Sequence, residues 1–127
     1  MKYHNYIIGE KGDKKMKLKN YEIYNYTLAL QNVFNDNEKY IPIKLNFIIQ
    51  RNKKLLYDLA VEIEYERTVI INNVNLSDEE KNRELYNLEN IEQDVNIKTV
   101  NFDYIADDRI DLTSAQMNAI LFMISDE

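Results

Sequence analysis

The sequence predicts a mainly α fold with a small β component: about four helices, one of them long, and a small antiparallel sheet. Three observations carry that prediction. Only two glycines (Gly9, Gly12) and one proline (Pro42) occur in 127 residues, whereas an all-β sandwich or barrel uses both freely at its many turns. Apolar residues recur at three-and-four spacing along most of the chain. One run, residues 95–105, switches to period two.

Taken in order, residues 1–8 are rich in Tyr and Ile and read as a short strand. The lysine-rich stretch 9–15 reads as a polar turn. Residues 1–15 are thus an arm of strand and turn ahead of a single helix-rich domain over 16–127, which opens at Met16. Asn20 is placed to cap a helix over 21–35. Its core face is Ile23, Tyr26, Leu30, Val33 and Phe34, widened by Tyr21, Tyr24 and Leu28. The Asn-Asp-Asn-Glu segment at 35–38 ends that helix, and Pro42 suits the first turn of the next.

The second helix covers 43–73 on a stripe that includes Leu45, Ile49, Leu56, Ile63 and Ile70, interrupted by Asn52 and again by Glu66 and Arg67. It would be about 47 Å long at about 1.5 Å per residue, against a diameter near ~36 Å for a compact chain of this size. It must overhang, break or meet a partner. Ser77 and Glu80 make a capping box for a third helix, which carries Leu85, Leu88 and Ile91 and fades near Gln93. In 95–105, Val95 and Ile97 share one phase and Val100, Phe102 and Tyr104 the other. That places a bulge or bend around residues 98 and 99. The last helix has a capping box of Thr113 and Gln116 and a hydrophobic staple from Leu112 to Met117. Its stripe of Met117, Ile120, Leu121 and Ile124 reaches toward the C-terminus.

Composition narrows the function classes. With no cysteine, disulfides, thiolate metal sites and a cysteine nucleophile are all excluded. Residues 1–8 lack the continuous apolar core of a signal peptide. The apolar run at 41–49 is interrupted by Lys44 and Asn46 and is too short to span a membrane. A cytoplasmic protein with no membrane association is the expectation. Net charge is −6, unevenly spread: residues 1–19 hold six lysines against Glu10 and Asp13, so the rest carries −10. An acidic body argues against direct nucleic-acid binding and equally permits attraction to a basic groove on another protein.

Catalytic signatures are scarce. His4 is the single histidine, and neither a phosphate-cradling glycine loop nor a zinc-protease helix motif is present. Two carboxylate groups are candidates for a cation or a basic partner. Glu62 and Glu66 lie one turn apart on the long helix; as a solvated face they would pair with Arg67. Asp107, Asp108 and Asp111 lie in a loop without the glycine and terminal Glu of a calcium site. Ten tyrosines include Tyr21 and Tyr24 in a cluster in the N-terminal third. Tyrosine suits interfaces, although a codon bias toward Asn, Ile, Lys and Tyr gives the same excess.

Three stretches resemble small accessory and structural proteins of tailed phages and prophages of low-GC bacteria. They are Met16-Lys-Leu-Lys-Asn20-Tyr-Glu, Ile41-Pro-Ile-Lys44, and Leu112-Thr-Ser-Ala-Gln-Met-Asn-Ala-Ile-Leu-Phe-Met-Ile124. The likeness spans residues 16–124, carries no chemical signature and transfers no functional residue. It implies a viral accessory or virion-associated role. The expected function is therefore a non-enzymatic phage-type protein, without cofactor, that binds and blocks a host protein such as a CRISPR effector or another defence component. The candidate binding residues are Asp107, Asp108, Asp111, Glu62, Glu66, Tyr21 and Tyr24. Two alternatives stand beside it: a virion-assembly or head–tail protein that self-associates through the long helix, and a metal-dependent enzyme built on the carboxylates.

Overall fold

The computed structural model describes residues 13–34, 41–106 and 110–125. Strand β1 (Asp13–Lys19) leads directly into helix α1 (Asn20–Val33), followed by the long helix α2 (Ile43–Ile71) and a shorter α3 (Asp78–Glu89). Then come strand β2 (Glu92–Lys98), strand β3 (Val100–Asn101), one helical turn α4 (Phe102–Ile105) and helix α5 (Ser114–Ile120). A 3-10 turn (Leu121–Met123) and strand β4 (Ile124–Ser125) close the described chain. This is the helix-dominated α+β class with one long helix and a small antiparallel sheet; the α4 turn brings the α-helical segments among the described residues to five.

β1 and β2 pair antiparallel, from Asp13 opposite Lys98 to Lys19 opposite Glu92. Alternation turns Leu18, Val95 and Ile97 into the core, while Lys15, Lys17, Asp94 and Asn96 stay exposed. Cross-strand ion pairs join Lys17 to Asp94 at 3.3 Å and Lys98 to Asp13 at 3.1 Å. Residues 13–15 are therefore strand and not the turn their lysines suggest, because an exposed edge accommodates lysine readily. The expected strand over 1–8 lies outside the described residues.

The expected cap of α1 is corrected. Asn20 is the first helical residue and buried, and its side chain serves tertiary structure. Its Nδ2 donates to the Leu88 carbonyl at 2.8 Å and its Oδ1 accepts from Gln93 Nε2 at 2.7 Å. The backbone N–H of Lys19 is instead satisfied by Glu22 at 2.8 Å. At the other end of α1, Lys53 Nζ donates to the Phe34 carbonyl (3.1 Å) and Gln116 Nε2 to that of Val33 (3.2 Å). Two side chains from distant elements thus cover carbonyls that a helix end leaves open.

α2 runs unbroken for 29 residues, about 43 Å at about 1.5 Å per residue. It overhangs, as its length requires: beyond Ile63 none of its residues is buried. Leu45, Ile49, Leu56 and Ile63 meet Ile23 and Leu30 of α1 and Phe34 just beyond its end, together with Ile97, Ile120 and Met123, in one core. Tyr26 stacks on Phe122 with ring centroids 4.3 Å apart. Asn52, which interrupts the apolar stripe, faces inward and is 1% exposed. Its amide accepts from the Lys98 N–H at 2.9 Å and donates to the Lys98 carbonyl at 2.8 Å, as a neighbouring strand would.

The phase change in 95–105 is a break at Thr99. β2 pairs with β1, whereas β3 pairs in parallel with β4, Val100 opposite Ile124. The strand stops at Asn101 and does not reach residue 105, since the Asn101 side chain accepts from the Asp103 N–H at 2.7 Å and starts α4. α5 begins as its capping box predicts: Gln116 N–H donates to Thr113 Oγ1 and Thr113 N–H to Gln116 Oε1, both at 3.0 Å. Its expected run to the C-terminus is corrected. The helix ends at Ile120, Leu121 is exposed, and Ile124 is drawn into β4.

α3 is held differently from the other long elements, because it buries no side chain. Leu85 and Leu88 are half-buried and Ile91 is exposed. Its start rests on the Ser77–Glu80 box, with Ser77 N–H donating to the Glu80 carboxylate at 2.8 Å and Glu80 N–H to Ser77 Oγ at 3.1 Å. Ser77→Ala is expected to cost about 1 kcal/mol and to speed amide exchange in α3 alone. Hydrogen bonds that the Glu80 carboxylate accepts from Ser77, from its backbone N–H first and its hydroxyl second, hold that carboxyl below its ordinary value. A depressed carboxylate stabilises above the unfolded-chain value and loses that contribution as pH falls through its folded value. Acid titration should therefore loosen α3 before the core. Exchange that accelerates equally in α2 and α3 would contradict this.

Candidate protein-binding surfaces

Tyr21, Tyr24, Asn25 and Leu28 recur at helical spacing along one flank of α1, where they face the overhanging end of α2 and the end of α3. With Glu64, Arg67 and Glu89 they line an open groove of about 430 Å³. Tyr24 Oη donates to the Glu64 carboxylate. Burial, then this hydrogen bond and the Glu64 charge, push the Tyr24 phenol up to about 12, against the opposing pull of Arg67. Arg67 bridges the two walls, 4.0 Å from Glu64 and 3.7 Å from Glu89. Such exposed ion pairs add little stability, so their effect is mainly to orient the groove's polar rim. Lys19 Nζ stands 6.0 Å from the Tyr21 ring centroid.

Tyr21 and Tyr24 are thus brought together, but not with the other candidates. Glu62 and Glu66 lie about 160° around the helix from Glu64, at about 100° per residue. They are exposed, and Arg67 pairs with Glu64 and Glu89 in place of Glu62 and Glu66. Asp111 is exposed in the segment before the α5 cap; Asp107 and Asp108 lie outside the described residues. Among the described residues, no three His, Asp or Glu side chains converge as a metal site would require.

Two features escape a reading of the core stripes alone. The first is the charge of α3, where Asp78, Glu79, Glu80, Glu84 and Glu89 outnumber Lys81 and Arg83 on a helix with no buried residue. The second is a row on the outward side of α2, opposite Leu45, Leu56 and Ile63, in which Tyr57, Val61, Tyr65 and Val69 follow one another every four residues. All four are exposed, Tyr65 by 67%. Phe47 continues this side toward the N-terminal half, with the Arg51 guanidinium 5.7 Å from its ring centroid. The spacing of the row is visible in the sequence as a second apolar stripe.

Fold and surfaces together define a helix-dominated α+β protein with an acidic helical end and an uncovered apolar helix face. No family model, no curated protein and no solved structure matches the chain. Among the described residues, no helix is long and apolar enough to cross a membrane.

Proposed function

We propose that this chain is a non-enzymatic binding protein of phage type that engages a basic surface of a host protein through α3 and the adjoining tyrosine groove. The observation that carries the reading is α3 itself. Twelve residues form a capped helix that buries no side chain, holds five carboxylates against two basic groups and leaves Tyr86 exposed. A helix whose leucines are only half-buried contributes little to a core; what it offers is a presented surface. Carboxylates beside exposed tyrosines supply long-range attraction and contact area to a basic partner. A nucleic-acid channel of a defence protein is a surface of that chemistry, and its occupation would block it.

The test is a tagged pull-down from infected host cells, comparing the native chain with the triple variant Glu79→Gln, Glu84→Gln, Tyr86→Ala. None of these side chains is buried, so the circular dichroism spectrum should be unchanged. A basic host protein recovered near stoichiometry by the native chain, and at least about tenfold less by the variant, is expected for loss of a central aromatic and two charges. Equal recovery by both baits, or recovery of virion proteins alone, would overturn the assignment.

A further inference from the structure

We propose that the outward face of α2 is the contact of an antiparallel, two-fold symmetric homodimer. An apolar row on a helix says only that something covers it; the charges beside the row say what. Lys44, Arg51 and Lys54 flank the row in the N-terminal half of α2 and Asp58, Glu62 and Glu66 flank it in the C-terminal half, whereas Lys53, Glu64 and Arg67 are turned toward α1 and α3. A surface polarised in this way is complementary to its own reverse. Parallel pairing would set like charges together; antiparallel pairing sets the basic half of each copy on the acidic half of the other.

The register follows from the same residues. With the two-fold axis level with residues 58 and 59, Tyr57 of one copy meets Val61 of the other at the centre. In that register Arg51 lies level with Glu66 of the second copy. Arg51, Glu62 and Glu66 occupy one flank of the row, within about 60° of one another at about 100° per residue, and a two-fold axis places that flank against itself. Within the chain these groups leave their charges available. Arg51 touches the Phe47 ring, and among the described residues neither Glu62 nor Glu66 has an ion-pair partner. Asp58, which falls at the axis, carries its own Lys54 at 3.1 Å, so its charge is neutralised within each copy. Neither α3 nor the residues that line the tyrosine groove belong to the row itself, so the two contacts can be tested with separate substitutions.

Sedimentation velocity on the purified full-length chain over about a hundredfold concentration range tests the proposal, with circular dichroism as the folding control. A monomer–dimer equilibrium is expected, and Val61→Glu should leave a folded monomer. Arg51→Glu and Glu66→Arg should each weaken the dimer about tenfold, because a two-fold contact contains each pair twice. Arg51→Glu combined with Glu66→Arg should recover the native affinity, which only direct apposition of the two positions explains. A monomer at every concentration would overturn the proposal, as would a double variant no tighter than the singles. So would a dimer that forms only when residues 1–12 are removed, since that arm joins the fold at Asp13, which shares a cleft with Arg51, and would then be the occupant of the face. Each of these results is obtained without a host protein and leaves the α3 assignment to its own test.

Discussion

Asn52→Leu is expected to lower the stability of the fold by about 3 kcal/mol, since two backbone groups lose their partners at once. The substitution preserves side-chain size and adds an apolar group to an apolar stripe, so a pattern-based reading would score it as an improvement. The geometry says otherwise. Asn52 is 1% exposed, and both of its amide atoms are committed to Lys98, with Nδ2 also 3.4 Å from Met123 Sδ. Lys98 is the last residue of β2, beside the break at Thr99. Its N–H and C=O both bond to α2, and the asparagine amide does for them what a third strand would do. Leucine would leave both unsatisfied against the helix. Domains of this kind have about 5–15 kcal/mol of total stability, so the loss would be evident in a urea titration as a lower midpoint at unchanged slope. Amide exchange at Lys98 should accelerate beyond the global change. A loss below about 1 kcal/mol would mean the amide pair has no more than the usual net worth of a single hydrogen bond.

Phe34→Ala should cost about 3–5 kcal/mol, the range for removing a fully buried aromatic side chain. Phe34 is 0% exposed, and its N–H closes the last turn of α1 on the Leu30 carbonyl at 3.0 Å. Its own carbonyl receives Lys53 from α2, and the preceding carbonyl receives Gln116 from α5. The ring therefore anchors the point where three helices meet. The cavity left by its removal cannot close without moving an element that is tied there by a hydrogen bond. Tyr65→Ala is the matched control. That side chain is 67% exposed, and at a concentration where the chain is monomeric its loss should shift stability by no more than about 0.5 kcal/mol. Similar losses for the two variants would show that Tyr65 packs on the same chain and would remove it from the proposed dimer face.

The elements read well where local chemistry decides them. Ser77 and Thr113 start helices because each bonds an N–H three residues on, and Pro42 directly precedes α2. The core stripe of α2 is likewise written in its own spacing, and the break at Thr99 shows in the change of phase from Val95 and Ile97 to Val100. The candidate surface was only partly legible. Tyr21 and Tyr24 do share a groove, but the carboxylate that meets Tyr24 is Glu64, not Glu62 or Glu66, because the helix turns alternate residues to opposite flanks. The exposure of α3 was hidden for another reason. Leu85, Leu88 and Ile91 suggest a buried face, yet none of them is fully covered.

By itself, then, the sequence determined the starts of α2, α3 and α5, the inward stripes of α1 and α2 and the polarised charge of α2, all properties of residues within a turn or two of one another. The tertiary structure alone decided how the buried amides are used, where α5 ends, and which apolar stripe of α2 is covered. Asn20 and Asn52 carry the same side chain into different roles because their partners lie 46 to 73 residues away. α5 stops after Ile120 because Ile124 is drawn into β4 beside Val100, across the fold. The long helix carries two apolar stripes at helical spacing, and periodicity treats them alike. Only the arrival of α1, the strands and α5 on one side makes that stripe the core and leaves Tyr57, Val61, Tyr65 and Val69 facing outward.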